Sequence, residues 1–490
     1  MTWYVDVDWD NDGAFEADEA GRTQALTVRR GREGVIRSDG KGFERAHVGQ
    51  AVLTLDNFDG RYDPLDTGSA LYPNVLPGRE VRIRKNDGAT THAILRGNIE
   101  QIIPLGKRRG GLVRLVVADG WRWLRDRTVR KALQTSIRTD TALGHVLDSA
   151  DWTAAWGRSL GVGSDTLPYW WADDQSAADA INDLNESEVG QFYVATSGSA
   201  VFTGRSALYN AAAAVNVTQS DLLDELLLPQ PWEAVRNIIR VKCYPRTTQP
   251  VSELWRIFDT PLVNPGASLT VFAEMRSKPM PFASFQYSSH PTPATGVTCA
   301  ATTDYTANTA SDGSGTDLTA NFTVAVTVFG TTAKLVVTNT GAQAGYVTLL
   351  RLRGQAIDAP EGTLIEVDGS AGSAYGPRAL TLDLPWQQSV TSAVELATWL
   401  KSLFDDPLAF PTVQIEGRAS LQFAYDLFTR VNLSVAALGI SADYYIDHIE
   451  HAWQFATGEG VVTTWRLEPA DSTAYWKFTT TLGVSSRFAY

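Results

Sequence analysis

Cysteine is nearly missing from this 490-residue chain, which carries only Cys243 and Cys299. The two fall in segments read as different parts of the fold. That excludes a disulfide scaffold and a thiolate metal site, and points to folding in a reducing cytoplasm. Histidine is also sparse, at six residues. The close pair His448 and His451 lies in a stretch read as a strand, where positions three apart face opposite ways, so it does not make a two-histidine zinc motif. No run approaches the roughly 18 apolar residues of a membrane span. The first residues lack the basic and apolar regions of a signal peptide, so none is expected. There is no G-x-S-x-G elbow, and Gly110-Gly111 and Gly161–Gly163 are too sparse for a phosphate loop. Positive charge is in deficit, giving a formal net charge of -13. A surface built to grip nucleic acid would need clustered Lys and Arg instead.

What the chain does have is aromatic and β-forming material. It carries 15 Trp, 16 Tyr and 18 Phe at 44% hydrophobic residues. The length suggests about three domains at roughly 150 residues each. Up to about Asp126 short stretches alternate apolar and polar: Trp3, Val5 and Val7, then Leu26 and Val28, Val52–Leu55, Val81–Ile83, Ile94–Ile103 and Leu112–Val117. Gly and Asp turns separate them, predicting a small barrel or sandwich. Val52–Arg84 reads as a strand, a long ordered loop with turns at Asp56–Gly60 and Leu76-Pro77-Gly78, and a second strand.

Beyond Asp126 the pattern turns helical. Thr139–Leu147 and Ser176–Glu188 are the candidates, the second opened by Ser176 with Asp179 and stopped at Gly190. A hairpin is predicted from Phe192–Val194 and Ala200–Phe202. Asn237–Lys242 alternates as a strand. Residues 255–375 are then rich in Thr, Ala, Gly and Ser, with alternation at Phe322–Val328, Lys334–Thr338 and Val347–Leu352. They predict a β-sandwich inserted into another domain. A helix over 390–404 follows, with Ser392 and Glu395 as its capping box, before strands at Thr412–Ile415, Asn432–Val435, Tyr444–Ile449 and Val461–Leu467.

Four stretches, Thr54–Arg84, Ala177–Arg205, Asn237–Val241 and Thr391–Ile449, resemble the tail hub (tail-tip or baseplate hub) proteins of bacteriophages. The resemblance implies a mainly β fold with a few helices (α+β): two small β-barrel tube-like domains, an α+β domain and the inserted β-sandwich. The division is then 1–126 for the first barrel and 127–215 for the α+β domain. Residues 216–254 with 376–475 make the second barrel, 255–375 the sandwich and 476–490 a C-terminal tail. It also implies a structural virion protein, not an enzyme, at the tail tip. Such a protein forms a homotrimer that closes the tail tube, meets the distal tail ring, the tape-measure protein and a fibre or spike, and lets DNA pass. A hub with an embedded cell-wall hydrolase, and a carbohydrate- or receptor-binding tail protein, are the alternatives.

The sharpest local chemistry is Asp8-Trp9-Asp10-Asn11-Asp12-Gly13-Ala14-Phe15-Glu16-Ala17-Asp18-Glu19. It fits the twelve-position calcium loop: Asp at one, three and five, Gly at six and Glu at twelve. Hard Ca²⁺ needs six to eight oxygens, and alternate carboxylates converge only if the chain bends sharply at Gly13. Asp8, Asp10, Asp12 and Glu19 would ligate directly, Ala14 through its carbonyl and Glu16 through water. An acidic, solvated hairpin tip is the plain alternative. The runs Arg29-Arg30-Gly31-Arg32 and Lys107-Arg108-Arg109 read as solvated basic loops. The pairs Asp173-Asp174 and Asp405-Asp406 read as residues beside helix ends. Trp121, Trp123, Trp170 and Trp171 read as buried or interface residues, with sugar platforms as the alternative.

Overall fold

The computed structural model describes residues 2–470, apart from residues 16, 33, 35, 38, 107–110, 225, 278–290, 359–360, 371–372 and 455–459. The basic turn at Lys107-Arg108-Arg109 and the tail expected at 476–490 therefore lie outside the described residues. The chain is mainly β with a few helices. Among the described residues no helix is long and apolar enough to cross a membrane.

The first part is an antiparallel sheet. Its order is Ala17–Asp18, Thr2–Asp8, Glu80–Asn86, Thr91–Leu105, Gly111–Ala118, His47–Asn57 and Thr23–Gly31. The alternation read from the sequence is the alternation of burial. Val5, Val7, Val28, Leu53, Leu55, Val81 and Ile83 are all fully buried on one face, as the two-residue period of a strand requires. The long connection after Asn57 is ordered by a succession of turns. The N–H groups of Gly60, Asp63, Asp66, Ser69 and Tyr72 each reach the carbonyl three residues back, and Tyr62 pins the loop to the core.

This sheet does not end at Thr23–Gly31. Its outer edge pairs with Ile440–Gln454, from Gly31 opposite His448 to Ala25 opposite Gln454. Through that strand the sheet continues into Arg430–Val435, Val462–Pro469, Thr412–Ile415 and Asn216–Thr218. Where the sequence suggested two barrels, the described strands form one twelve-stranded sheet, with no pair joining its ends.

The middle of the chain packs against this sheet. Trp121–Asp126 is a short helix, where the sequence was read as β to Asp126. A long two-stranded ribbon, Thr128–Arg138 with Thr166–Ser176, follows on either side of helix Thr139–Ser149. Sequence patterning missed this ribbon because bulges at Trp170–Ala172 and Asp173–Gln175 break its alternation. Helix Ala177–Glu188 starts as expected: the Ser176 hydroxyl accepts the Asp179 N–H at 3.0 Å. Its left-handed stop is Val189, at φ 57°, not Gly190. Gly190 is needed for a different reason, since a Cβ there would lie 2.8 Å from the Phe202 ring. The hairpin Gln191–Val194 with Ala200–Thr203 forms as predicted.

At Cys243 the chain leaves the strand Ile238–Cys243, and it returns directly opposite, at Thr363. The excursion is built around Gly345–Asp358. That strand carries short strands along both edges and faces a second sheet of Ser268–Glu274, Thr332–Asn339 and Phe322–Val328. Leu254, Leu335, Val337, Leu350 and Leu352 fill the space between the two sheets. Helix Val390–Phe404 covers the sheet from which the excursion leaves. Its cap is Ser389, which accepts the Ser392 N–H at 3.2 Å. The proposed box of Ser392 with Glu395 lies one turn inside the helix.

Candidate functional site: the acidic loop and the strand seam

The loop after the first strand brings three of the expected ligands together. Carboxylate oxygens of Asp8, Asp10 and Asp12 all lie within 4.8 Å of one another. Asp8 is buried, and its oxygens already accept backbone N–H groups: Oδ1 from Asn11 (2.7 Å) and Asp12 (3.2 Å), Oδ2 from Gly13 (2.9 Å). The Ala14 N–H donates to Asp12 Oδ1 at 2.7 Å. Asn11 and Gly13 both have positive φ, which gives the sharp bend. Glu16 lies outside the described residues. Glu19 does not join the cluster. Its buried carboxylate accepts from Trp9 Nε1 at 3.0 Å, Arg61 Nη2 at 3.1 Å and the Tyr62 hydroxyl. Burial, then the Glu19 charge, pushes that hydroxyl above its usual range. Glu19 thus holds the long loop to the sheet.

The basic run Arg29–Arg32 is not a solvated loop. It is the strand edge at which the first part of the sheet meets the last. Alternation sends Arg29 outward, to Glu450 at 3.1 Å, and Arg30 inward. Arg30, 4% exposed, donates to Asp426 Oδ1 and to the Val194 carbonyl, both at 2.6 Å. One guanidinium so ties the first sheet, the hairpin and the C-terminal part together. Arg32 is equally buried, pairs with Glu468 and lies over the Phe428 ring at 5.4 Å. Arg466 returns the contact, donating to the Arg32 carbonyl and pairing with Asp447 at 3.3 Å. The sequence signal for this is the strand period running through the arginines, which their charge masks.

Buried titratable groups surround the seam. Burial pushes the Asp447 carboxyl up to about 7, against the pull of Arg32 and Arg466. Burial pushes Asp119 up to about 7 as well, although it accepts N–H groups from Trp121 (3.0 Å) and Gly49 (2.8 Å) and feels Arg30. His451, on the predicted strand, bonds Thr463 through Nδ1 at 2.9 Å. Burial, then Arg30, pushes it down to about 3. It is a neutral core residue.

The remaining candidates, where described, are placed as follows. Trp121 and Trp170 are buried, Trp123 stacks under Arg127 at 4.1 Å, and Trp171 packs edge-on against Trp386 at 5.1 Å. Asp173 and Asp174 belong to the ribbon strand, not a helix end, and Asp174 pairs with Arg130. Asp405 closes helix Val390–Phe404 and pairs with Lys401 at 3.0 Å. Both cysteines are free.

No family model and no curated protein matches the sequence. Solved structures do match the fold. The 43 kDa tail protein of prophage MuSo2 from Shewanella oneidensis superposes with a TM-score of 0.52 at 9% identity, covering 96% of this chain and 99% of that one. A tail protein from Neisseria meningitidis MC58 gives 0.51 at 9% identity, covering 95% and 96%. At such identity the likeness is one of fold, and it runs the length of both chains.

Proposed function

We propose, from this phage tail protein fold, that the chain is a structural hub subunit of a tail tip, assembled in a host cytoplasm and carried in the virion. The observation that carries the reading is the joining of the N-terminal and C-terminal strands into one sheet along Ala25–Gly31, within a fold shared end to end with prophage tail proteins. A subunit that closes a tube and passes force to a fibre or spike has to be rigid across its width. Hydrogen-bonded strands and buried ion pairs provide that rigidity where a flexible linker would not. The reading includes a homotrimeric ring, contact with a distal tail ring, a tape-measure protein and a fibre or spike, and passage of DNA through a lumen that the net charge of -13 would keep from sticking. It assigns no catalytic step.

The test is solution mass by light scattering on the purified chain, with and without added tail-tube protein, followed by negative-stain imaging. A threefold ring with a central hole is the expected result. A monomer that stays monomeric in both conditions, or turnover of purified peptidoglycan, would count against a purely structural hub.

We further propose that Asp8, Asp10 and Asp12, with the Ala14 carbonyl, hold calcium weakly. The spacing supports this, and the three convergent carboxylates supply hard oxygen donors.

A further inference from the structure

A basic-aromatic cluster lies apart from the seam and the acidic loop. Trp232 opens a short turn before the strand Ile238–Cys243 and is 53% exposed. The Arg378 guanidinium lies 4.4 Å from the centre of its ring, and Tyr375 packs edge-on at 6.4 Å. Arg236, 8% exposed, leaves the same turn and gives Nη1 to the carbonyls of Val235 (2.8 Å) and Glu233. The Nε–H groups of Arg236 and Arg378 are both buried without a partner. Burial, then the Arg378 charge, pushes the Arg236 pKa down, with Glu233 opposing.

The cluster is fixed in place before any ligand arrives. The Asn237 side chain, fully buried, donates to the Gly376 carbonyl at 2.8 Å and to Ser373 Oγ at 3.1 Å. Its oxygen accepts the Arg378 N–H at 2.8 Å. Pre-ordered Trp, Tyr and Arg are the residues that dominate binding energy at protein interfaces. A planar guanidinium matches a carboxylate in two hydrogen bonds. A nucleic-acid strand would instead need a track of cations following successive phosphates, and two arginines do not make one.

We propose that Trp232, Tyr375 and Arg378, with Arg236 buried behind them, form a docking site for an acidic segment of a partner protein, with a carboxylate at the Arg378 guanidinium and an apolar neighbour on the Trp232 ring. The site is independent of the ring stoichiometry.

The experiment is fluorine NMR of the full chain labelled with 5-fluorotryptophan, with the Trp232 signal assigned through Trp232→Phe. The probes are a blocked Glu-Phe-Glu tripeptide and an oligothymidylate. A saturable shift of the Trp232 signal with the tripeptide is expected, weakened about tenfold or more in Arg378→Gln and partly kept in Arg378→Lys. Matching circular dichroism for the variants separates loss of binding from loss of fold. A Trp232 signal that the tripeptide leaves unmoved overturns the proposal. So does a shift unchanged in Arg378→Gln, or tighter binding of the oligothymidylate.

Discussion

Gly31 and Asp447 sit closer than any side chain at position 31 would allow. A Cβ on Gly31 would lie 2.8 Å from the His448 Cα and closer still to the Asp447 carbonyl oxygen, and Gly31 has a φ of 108°. The next N–H, from Arg32, donates to that same carbonyl at 3.0 Å. Both the conformation and the space call for glycine. Gly31→Ala is expected to cost about 2–4 kcal/mol in urea unfolding, because the clash is with backbone that cannot swing aside. Gly21→Ala, where nothing lies within 4 Å and φ is not positive, should change stability by less than about 0.5 kcal/mol. Equal midpoints for the two variants would remove the seam from the account of rigidity.

The seam also sets a pH dependence. Asp119 and Asp447 are raised to about 7 in the folded chain, against about 4 when unfolded. Between those values the folded state binds more protons than the unfolded one. Each group's contribution to stability is therefore full below about pH 4 and lost as pH rises through about 7. His451, lowered to about 3, acts the other way: its neutral form favours folding above about pH 6.5, and that advantage is lost as pH falls toward 3. Asp119→Asn should flatten the fall in stability between pH 5 and 7, by at most about 1.4 kcal/mol per pH unit. His451→Gln should flatten the loss below pH 6. Unfolding midpoints measured across pH 4 to 8 test both, and parallel profiles for variant and parent would refute the assignment.

How much of this was legible beforehand follows from the range of the interactions. Val5, Val81 and Leu53 could be read as strand residues because alternation is local, and Ser176 as a cap because its partner is three residues away. The pairing of Thr23–Gly31 with Ile440–Gln454 crosses most of the chain, and no local pattern encodes it. Arg30 and Arg32 read as solvent-facing because charge usually stays there; their partners Asp426 and Glu468 are distant in sequence. The sequence reads Ser392 as the cap of the helix over 390–404, but the cap is Ser389, one turn earlier, whose hydroxyl accepts the Ser392 N–H. In the acidic loop the local spacing brings Asp8, Asp10 and Asp12 together, while the motif's last position, Glu19, is taken by Arg61 and Tyr62 from the long loop after Asn57, some forty residues on.

That division of labour within the loop is testable. Without a Glu19 ligand the site is expected to bind calcium no tighter than about millimolar. Titration calorimetry should then show affinity lost in Asp10→Asn or Asp12→Asn and unchanged in Glu19→Gln. Glu19→Ala should instead destabilise the fold by about 2–4 kcal/mol, since it strands Arg61, Tyr62 and the Trp9 N–H. A flat calorimetric trace and a melting temperature indifferent to millimolar EDTA would leave the loop as an acidic turn.

The inserted sandwich makes a last case, because identifiable contacts tie it to the ribbon. At the turn Phe329–Thr332 a Cβ on Gly330 would lie 2.7 Å from the Ala172 carbonyl oxygen and 2.9 Å from the Asp173 Cβ. Thr331, buried beside it, donates its hydroxyl to Asp173, and Tyr169 shares a 2.6 Å hydrogen bond with Thr248 at the other end of the contact. The sandwich core of Leu254, Leu335 and Leu350 is separate from these contacts. Gly330→Val should therefore push the sandwich off the ribbon without unfolding it. Hydrogen exchange would rise in Thr166–Ser176 and in the 329–332 turn, while Gly345–Asp358 keeps its protection. Thr331→Val should give a smaller effect in the same segments, about 1–2 kcal/mol for one hydrogen bond to a carboxylate. If exchange in Thr166–Ser176 stays at the parent level in both variants, the ribbon does not hold the sandwich, and its orientation must be set by the strands at which the chain leaves and returns.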